Sequence, residues 1–254
     1  MSSNGCLLVS DVHLQGFGDD TNRELEASFL SLIAYCTAQN LTLLILGDLF
    51  DYWMEYPRQK YAPAFGEPIL KALKHHGEQV EPVLYITGNH DNWTFGHIAS
   101  PEIEVEAEHR MISFDNRQAI LFHGDGLADT AWDYQRPLYH RLLRNPSFIR
   151  VYQTLSSPKF GVWIMSRFSR LTRMLNISDP EPLNNLAKKM LYQSNIDLVF
   201  CGHDHLPRLI DFEGGTYMNL GAFHLHRTVG LVRQGEPMLF QWNATQGTLT
   251  KFTG

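Results

Sequence analysis

Seven side chains suited to holding hard divalent cations stand at the ends of five apolar runs. Asp11 and His13 follow CLLVS, Asp48 follows LLILG, Asn89 follows VLYITG, His123 follows AILF, and His203 and His205 follow DLVFCG. Carboxylate, imidazole and amide oxygen favour ions such as Mn²⁺, whereas thiolate would favour softer metals. Seven such groups suit two divalent ions, for which Mn²⁺ is expected, sharing one carboxylate. Two ions about 3.5–4 Å apart acidify a shared water and clamp the oxygens of an in-line phosphoryl displacement. A single run tipped by a polar residue is ordinarily a strand meeting a loop, and Asp-x-His alone occurs in many proteins. Five runs tipped with Asp, Asn or His argue for one convergent site. Asp48 is the expected bridge, because a central strand delivers its carboxylate between ligands on both sides. His203 and His205, two apart at a strand end, are expected to face the same way.

An open α/β sheet places its chemistry just beyond the carboxyl ends of such strands. Helical spacing of Leu25, Phe29, Leu32, Ile33 and Cys36 predicts a helix over Arg23 to Gln39, with Thr21 and Glu24 resembling a capping box. A second helix is expected over Ala64 to His76, and a strand over Val83 to Thr87. The β-α-β-α-β order points to right-handed crossovers and a parallel core. Glu102 to Asn116 reads as short antiparallel strands leading into Ala119 to Phe122. The short strands after Cys201 are expected to build a second, antiparallel sheet. His224 and His226 fall two apart on one of those strands, where His224 is expected to contact substrate.

The chain has 254 residues and a formal net charge of −6, so no overall positive field recommends a nucleic-acid partner. Its length suits one domain spanning 1–254. Cys6, Cys36 and Cys201 lie far apart with no CxxC spacing, as expected of reduced thiols. MSSNGCLLVS lacks the features of a signal peptide, and no apolar run approaches the ~20 residues of a membrane span. A cytoplasmic protein is expected, with room for peripheral contact at the inner membrane.

One stretch departs from the acidic balance. Tyr134 to Ser178 contains no Asp or Glu in 45 residues and eight bases, among them Arg144, Arg167 and Arg170, interleaved with residues such as Phe160, Trp163 and Phe168. The segment 126–196 therefore reads as an inserted helical cap. Its basic, apolar character suits a diphosphate-linked lipid and an anionic leaflet, with Arg167 and Arg170 at the head groups.

The ordered blocks D11-x-H13, G47-D48-x-x-D51, G88-N89-H90-D91, H123-G124-D125 and G202-H203-x-H205 resemble the calcineurin-like metallophosphoesterase family across most of the chain. The resemblance implies a four-layer α/β/β/α sandwich of two mixed sheets. It also implies one ion on Asp11, His13, Asp48 and His205, and another on Asp48, Asn89, His123 and His203. His90 matches the family's non-ligand histidine that contacts the scissile phosphate, and Asp51 the carboxylate that orients it. HGDGLAD, RNPSFIRVYQTLSSPKFGV and NLGAFH look like the branch that cleaves UDP-2,3-diacylglucosamine in lipid A biosynthesis, which implies a nucleotide-linked lipid as substrate. Well-known members of that branch carry Arg where this chain has His90. The alternatives are a soluble phosphodiesterase or nucleotide pyrophosphatase on the same site, and a non-catalytic scaffold on the same fold.

Overall fold

The computed structural model describes residues 4–128, 132–175, 179–193 and 195–253, the side chains of 168–175 lying outside that description. Arg170 and Phe168, singled out above, therefore lie outside the described side chains.

Three strands pair in parallel at the centre of the first sheet: β1 (Cys6–Val9), β2 (Thr42–Leu46) and β3 (Val83–Ile86). Each is buried from end to end, as continuous aliphatic runs covered on both faces must be. Helices α1 (Asp19–Ala38) and α2 (Glu67–Gln79) make the crossovers and lay Leu25, Phe29, Leu32, Ile33, Ile69 and Leu73 on one face of the sheet, against Leu7, Val9, Leu43 and Ile45. The alternate residues Leu8, Leu44, Leu46 and Ile86 point the other way, onto Leu121, Leu198, Phe200 and Met218 of the second sheet. That sheet contains β5 (His109–Phe114), β6 (Arg117–Phe122), β7 (Leu198–Cys201), β8 (Arg208–Phe212) and β9 (Gly215–Asn219), in the order β5-β6-β7-β9-β8. Its outer face, with Ile120, Phe122, Val199 and Tyr217, is covered by Leu183, Leu186, Met190 and Leu191 of α6 (Glu181–Gln193). Helices, sheet, sheet and helix make four layers.

Several expectations change. The strands after Cys201 divide between the sheets. β8 and β9 join the second, whereas β10 (Thr228–Arg233), β11 (Glu236–Asn243) and β12 (Thr248–Lys251) extend the first through an antiparallel β1–β10 ladder, Leu7 opposite Leu231. The second sheet is mixed, because β7 runs parallel to both β6 and β9. β4 (Ile103–Glu106) is no part of an antiparallel meander and pairs in parallel with β3. α1 begins earlier than the Thr21–Glu24 pattern suggested. Its N-cap is Gly18, with no side-chain cap, and Asp19 and Asp20 meet the positive end of the helix dipole. α2 starts at Glu67, after a 3₁₀ turn over Ala64–Gly66. His224 and His226 occupy a short helix, α7 (Phe223–His226), so their spacing does not place them on one strand face.

Between β6 and β7 the chain also forms α3 (Leu138–Leu143), α4 (Pro146–Leu155) and α5 (Pro158–Leu175). Ile149 and Met165 from this group pack with Met54, Tyr56 and Trp93, so α4 and α5 lean on the loops that follow β2 and β3.

Candidate metal centre

The seven candidate ligands come from the ends of β1, β2 and β3 in one sheet and β6 and β7 in the other, and the structure brings them together. The loops after β1 and β2 are zipped by backbone bonds: Asp11 N donates to Gly47 O (3.1 Å), His13 N to Asp48 O (2.9 Å) and Asp51 N to Leu14 O (3.0 Å). Asp91 ties in the loop after β3, its carboxylate accepting from Leu49 N (2.8 Å), Gly88 N (2.6 Å) and the Tyr85 hydroxyl. Burial beside Asp48 pushes Asp91 up to about 6.

Five of the seven, Asp11, His13, Asp48, His203 and His205, adopt positive φ between 52° and 73°. Left-handed backbone at a non-glycine residue costs of order 1 kcal/mol or more and persists only where the surroundings enforce it. His203 and His205 therefore lie in a tight loop beyond β7 and not on a strand face. His205 Nε2 lies 3.1 Å from Asp11 Oδ1 and 3.4 Å from His13 Nε2. His203 Nδ1 lies 3.3 Å from His123 Nε2, which is itself 3.2 Å from Asn89 Oδ1. Asp48 lies between the two groups, with Oδ2 3.8 Å from His13 Nε2 and 3.3 Å from His123 Nε2. Glycine is obligatory at Gly47, where φ is 87° and a Cβ would enter the His123 ring.

Imidazole nitrogens facing each other across little more than 3 Å, with carboxylates between them, are arranged as ligands around cations rather than as hydrogen-bonded partners. Asp11 Oδ1 is buried and makes no hydrogen bond of good geometry among the described residues. Asp11, His13 and His205 form one group whose donor atoms lie within 4.8 Å of one another; Asp11, Asp48 and His123 form a second, and His13, Asp48 and His90 a third. The tautomers agree, since His123 Nδ1–H donates to Leu46 O (2.9 Å) and leaves Nε2 to face the site. The donors present fit divalent ions.

Burial opposes charge throughout this centre, yet the mixture of signs overrides it. Asp48 is held well below the usual carboxylate range by His123, His90 and His13, and Asp11 likewise by His205 and His13. His13 and His123 are pushed up to about 10 by the surrounding carboxylates. His203 goes the other way, to about 3, through burial and its neighbour His123.

His90 and Asp51 adjoin the ligands. His90 Nδ1–H donates to the Asp51 backbone carbonyl (2.7 Å), which leaves Nε2 facing Asp48 Oδ2 at 3.9 Å. The Asp51 carboxylate instead sits 3.3 Å from His13 Nδ1 and 3.6 Å from His90 Nδ1, so it addresses a candidate ligand at least as directly as it does His90. His224 donates from Nδ1 to Asp11 O (2.9 Å), its ring edge-on to His13 and His205. Arg167 is exposed on α5 over the Trp163 ring, and among the described residues no contact brings it to the centre. Sequence reasoning missed Asp91 and Asp125. Asp125 is a buried carboxylate held by Arg136 and Arg144, and its place in the HGD block was the available signal.

Residues 6–207 match the family model for Calcineurin-like phosphoesterase, and the chain belongs to that family. It is a metal-dependent phosphoesterase, a hydrolase. Among curated proteins it resembles UDP-2,3-diacylglucosamine hydrolases. The protein of Stutzerimonas stutzeri (strain A1501) is 29% identical over 215 residues, 82% of this chain and 84% of the relative. That of Edwardsiella ictaluri (strain 93-146) is 26% identical over 234 residues, 87% and 85% of the two chains. That of Vibrio cholerae serotype O1 (strain ATCC 39315 / El Tor Inaba N16961) is 25% identical over 211 residues, 80% and 82%.

Proposed function

We propose that this phosphoesterase cleaves the diphosphate of UDP-2,3-diacylglucosamine to UMP and 2,3-diacylglucosamine 1-phosphate, using two divalent ions, Mn²⁺ by preference. The observation that carries the reading is a cluster of Asp, Asn and His side chains that could hold metal ions, whose loops are packed by helices with an apolar, basic exterior. Among the described residues, seven of the twelve exposed large hydrophobics fall between Leu138 and Trp163, including Leu138, Val151, Leu155 and Phe160. Arg167 stands over Trp163 and the rings of Phe160 and Trp163 stack, a surface suited to acyl chains and anionic head groups. We assign α3 to α5 as the cap. No helix among the described residues is long and apolar enough to cross a membrane, so contact with the cytoplasmic face of the inner membrane would be peripheral.

Asp11, His13, Asp48 and His205 would hold one ion, and Asp48, Asn89, His123 and His203 the other. Such ions supply a water acidified to near-neutral pKa and positive charge for phosphate oxygens. His90 is anchored through Nδ1, and an approaching phosphate anion favours its imidazolium, whose Nε2–H then donates to a phosphoryl oxygen. His224, its Nδ1–H committed to Asp11 O, keeps Nε2 to accept from a substrate hydroxyl. Arg167 and Arg170 meet the anionic head group.

A second reading, a soluble phosphodiesterase or nucleotide pyrophosphatase, is favoured by His90 standing where well-known members of the diacylglucosamine branch carry Arg. A scaffold without turnover has no use for a complete ligand set. The test is incubation of Mn²⁺-loaded protein with UDP-2,3-diacylglucosamine and with bis-p-nitrophenyl phosphate, products read by mass spectrometry. UMP and acylated sugar phosphate are expected. Turnover of the small diester alone would favour the second reading, and hydrolysis of neither would leave the scaffold.

A further inference from the structure

Arg144 belongs by sequence to the basic stretch expected to meet head groups, yet its side chain is only 12% exposed and turns inward. Nη1 donates to Ala107 O (3.0 Å), and Nη2 to Gly88 O (2.9 Å), Thr87 O (3.4 Å) and the Asp125 carboxylate (3.2 Å). The residue closes the C-terminus of α3, and one position earlier Leu143 O accepts from Trp93 Nε1 (2.8 Å). One turn of the cap thus grips both ends of the stretch from Thr87 to Trp93.

Gly88 is squeezed between this guanidinium and the metal centre. On its other side the Asp48 carboxylate lies so close that a Cβ could not fit, and His90 N donates to Asp48 Oδ1 (2.9 Å). The position of the Gly88 carbonyl therefore sets where Asn89 stands relative to Asp48. Asp125 follows His123 by two residues, so the same guanidinium also fixes the loop that carries His123. Among the described residues, Arg144 makes no hydrogen bond to the loops carrying Asp11, His13 or His205.

We propose that Arg144 is a positioning residue for the half-site of Asn89 and His123, which makes this turn of the cap part of the frame of that ion's ligands. The inference rests on the two-ion reading given above. A planar guanidinium can serve three carbonyls and a carboxylate at once, whereas an ammonium is a single point of charge. Loss of a group that orients metal ligands typically weakens metal affinity about 10- to 100-fold.

The intact protein, stripped with chelator, is titrated with Mn²⁺ by calorimetry and followed by electron paramagnetic resonance, which separates a spin-coupled pair from an isolated ion. The parent should bind two ions as a coupled pair. Arg144→Lys should hold the first ion within about 3-fold of the parent and bind the second about 10- to 100-fold more weakly, with the isolated-ion spectrum at one equivalent. Trp93→Phe, which removes only the indole bond to Leu143, should weaken the same ion by a smaller factor and serves if the arginine variant does not fold. Parental affinity for both ions in these variants, or equal weakening of both, would overturn the inference while leaving the two-ion reading intact. A parent that binds a single ion would instead overturn that reading and this inference with it.

Discussion

Asp48 is within 4 Å of imidazole nitrogens on both sides of the centre, and in the proposed assignment it is the ligand that both ions share. Asp48→Asn keeps the shape and removes the charge, so metal analysis after dialysis is expected to find both ions lost along with activity. Retention of two ions would remove Asp48 from the bridging role. His90→Ala should lower kcat about 10²- to 10⁴-fold with metal content unchanged. Loss of an ion there would make His90 a ligand, as its grouping with His13 and Asp48 allows. Asp51→Ala should do what His90→Ala does not. His13 loses the partner of its Nδ1, so one ion should be held about 10- to 100-fold more weakly, which titration with Mn²⁺ would read. The ligand types were legible because an apolar run tipped by Asp, Asn or His is a local pattern. The Asp51–His13 contact was not, because it spans 38 positions and depends on how two loops are zipped. Nor was the left-handed backbone of His203 and His205, which replaces a strand face by a tight loop.

The helices α1 and α2 were readable from their apolar spacing, but what holds them to one another was not. His76 is fully buried between them, and its Nδ1–H donates to the hydroxyl of Thr37 (2.9 Å), which in turn donates to Ile33 O (3.0 Å). Burial, with the neighbouring His75, pushes His76 down to about 4 from an ordinary 6.5. The unfolded chain therefore takes up this proton at higher pH than the folded one does. The neutral ring's contribution is complete above pH 6.5 and drains away as pH falls toward about 4. His76→Gln should flatten the fall in Tm across that window relative to the parent, measured by thermal melts at matched salt. An unchanged acid slope would show that other groups set it. Strand pairing was the other limit at this scale. The β-α-β-α-β unit follows from nearest-neighbour connections, whereas Leu7 opposite Leu231 is a pairing between the two ends of the chain that no local period announces.

At the scale of the whole molecule the segment 126–196 packs in two places. α6 is the fourth layer of the sandwich, and α3 to α5 lean on the loops around the metal centre. If their exposed surface serves substrate, Trp163→Ser should raise KM for the diacylated nucleotide far more than for bis-p-nitrophenyl phosphate. Arg167→Glu should weaken binding to anionic vesicles by about 1 kcal/mol or more, an effect that fades at high salt. Equal losses on both substrates, with no vesicle binding by the parent, would make the surface structural. The metal centre itself straddles the seam between the sheets. Asp11, His13, Asp48 and Asn89 come from the first, and His123, His203 and His205 from the second. A chain whose two sheets have formed but not yet docked would offer each ion only part of its ligands. Ion uptake thus becomes a clock for the final act of folding. In refolding with Co²⁺, the absorbance of the bound ion should rise with tertiary packing and lag the return of helix and strand. An ion captured early, before the sheets meet, would mean that one of them suffices as its cradle.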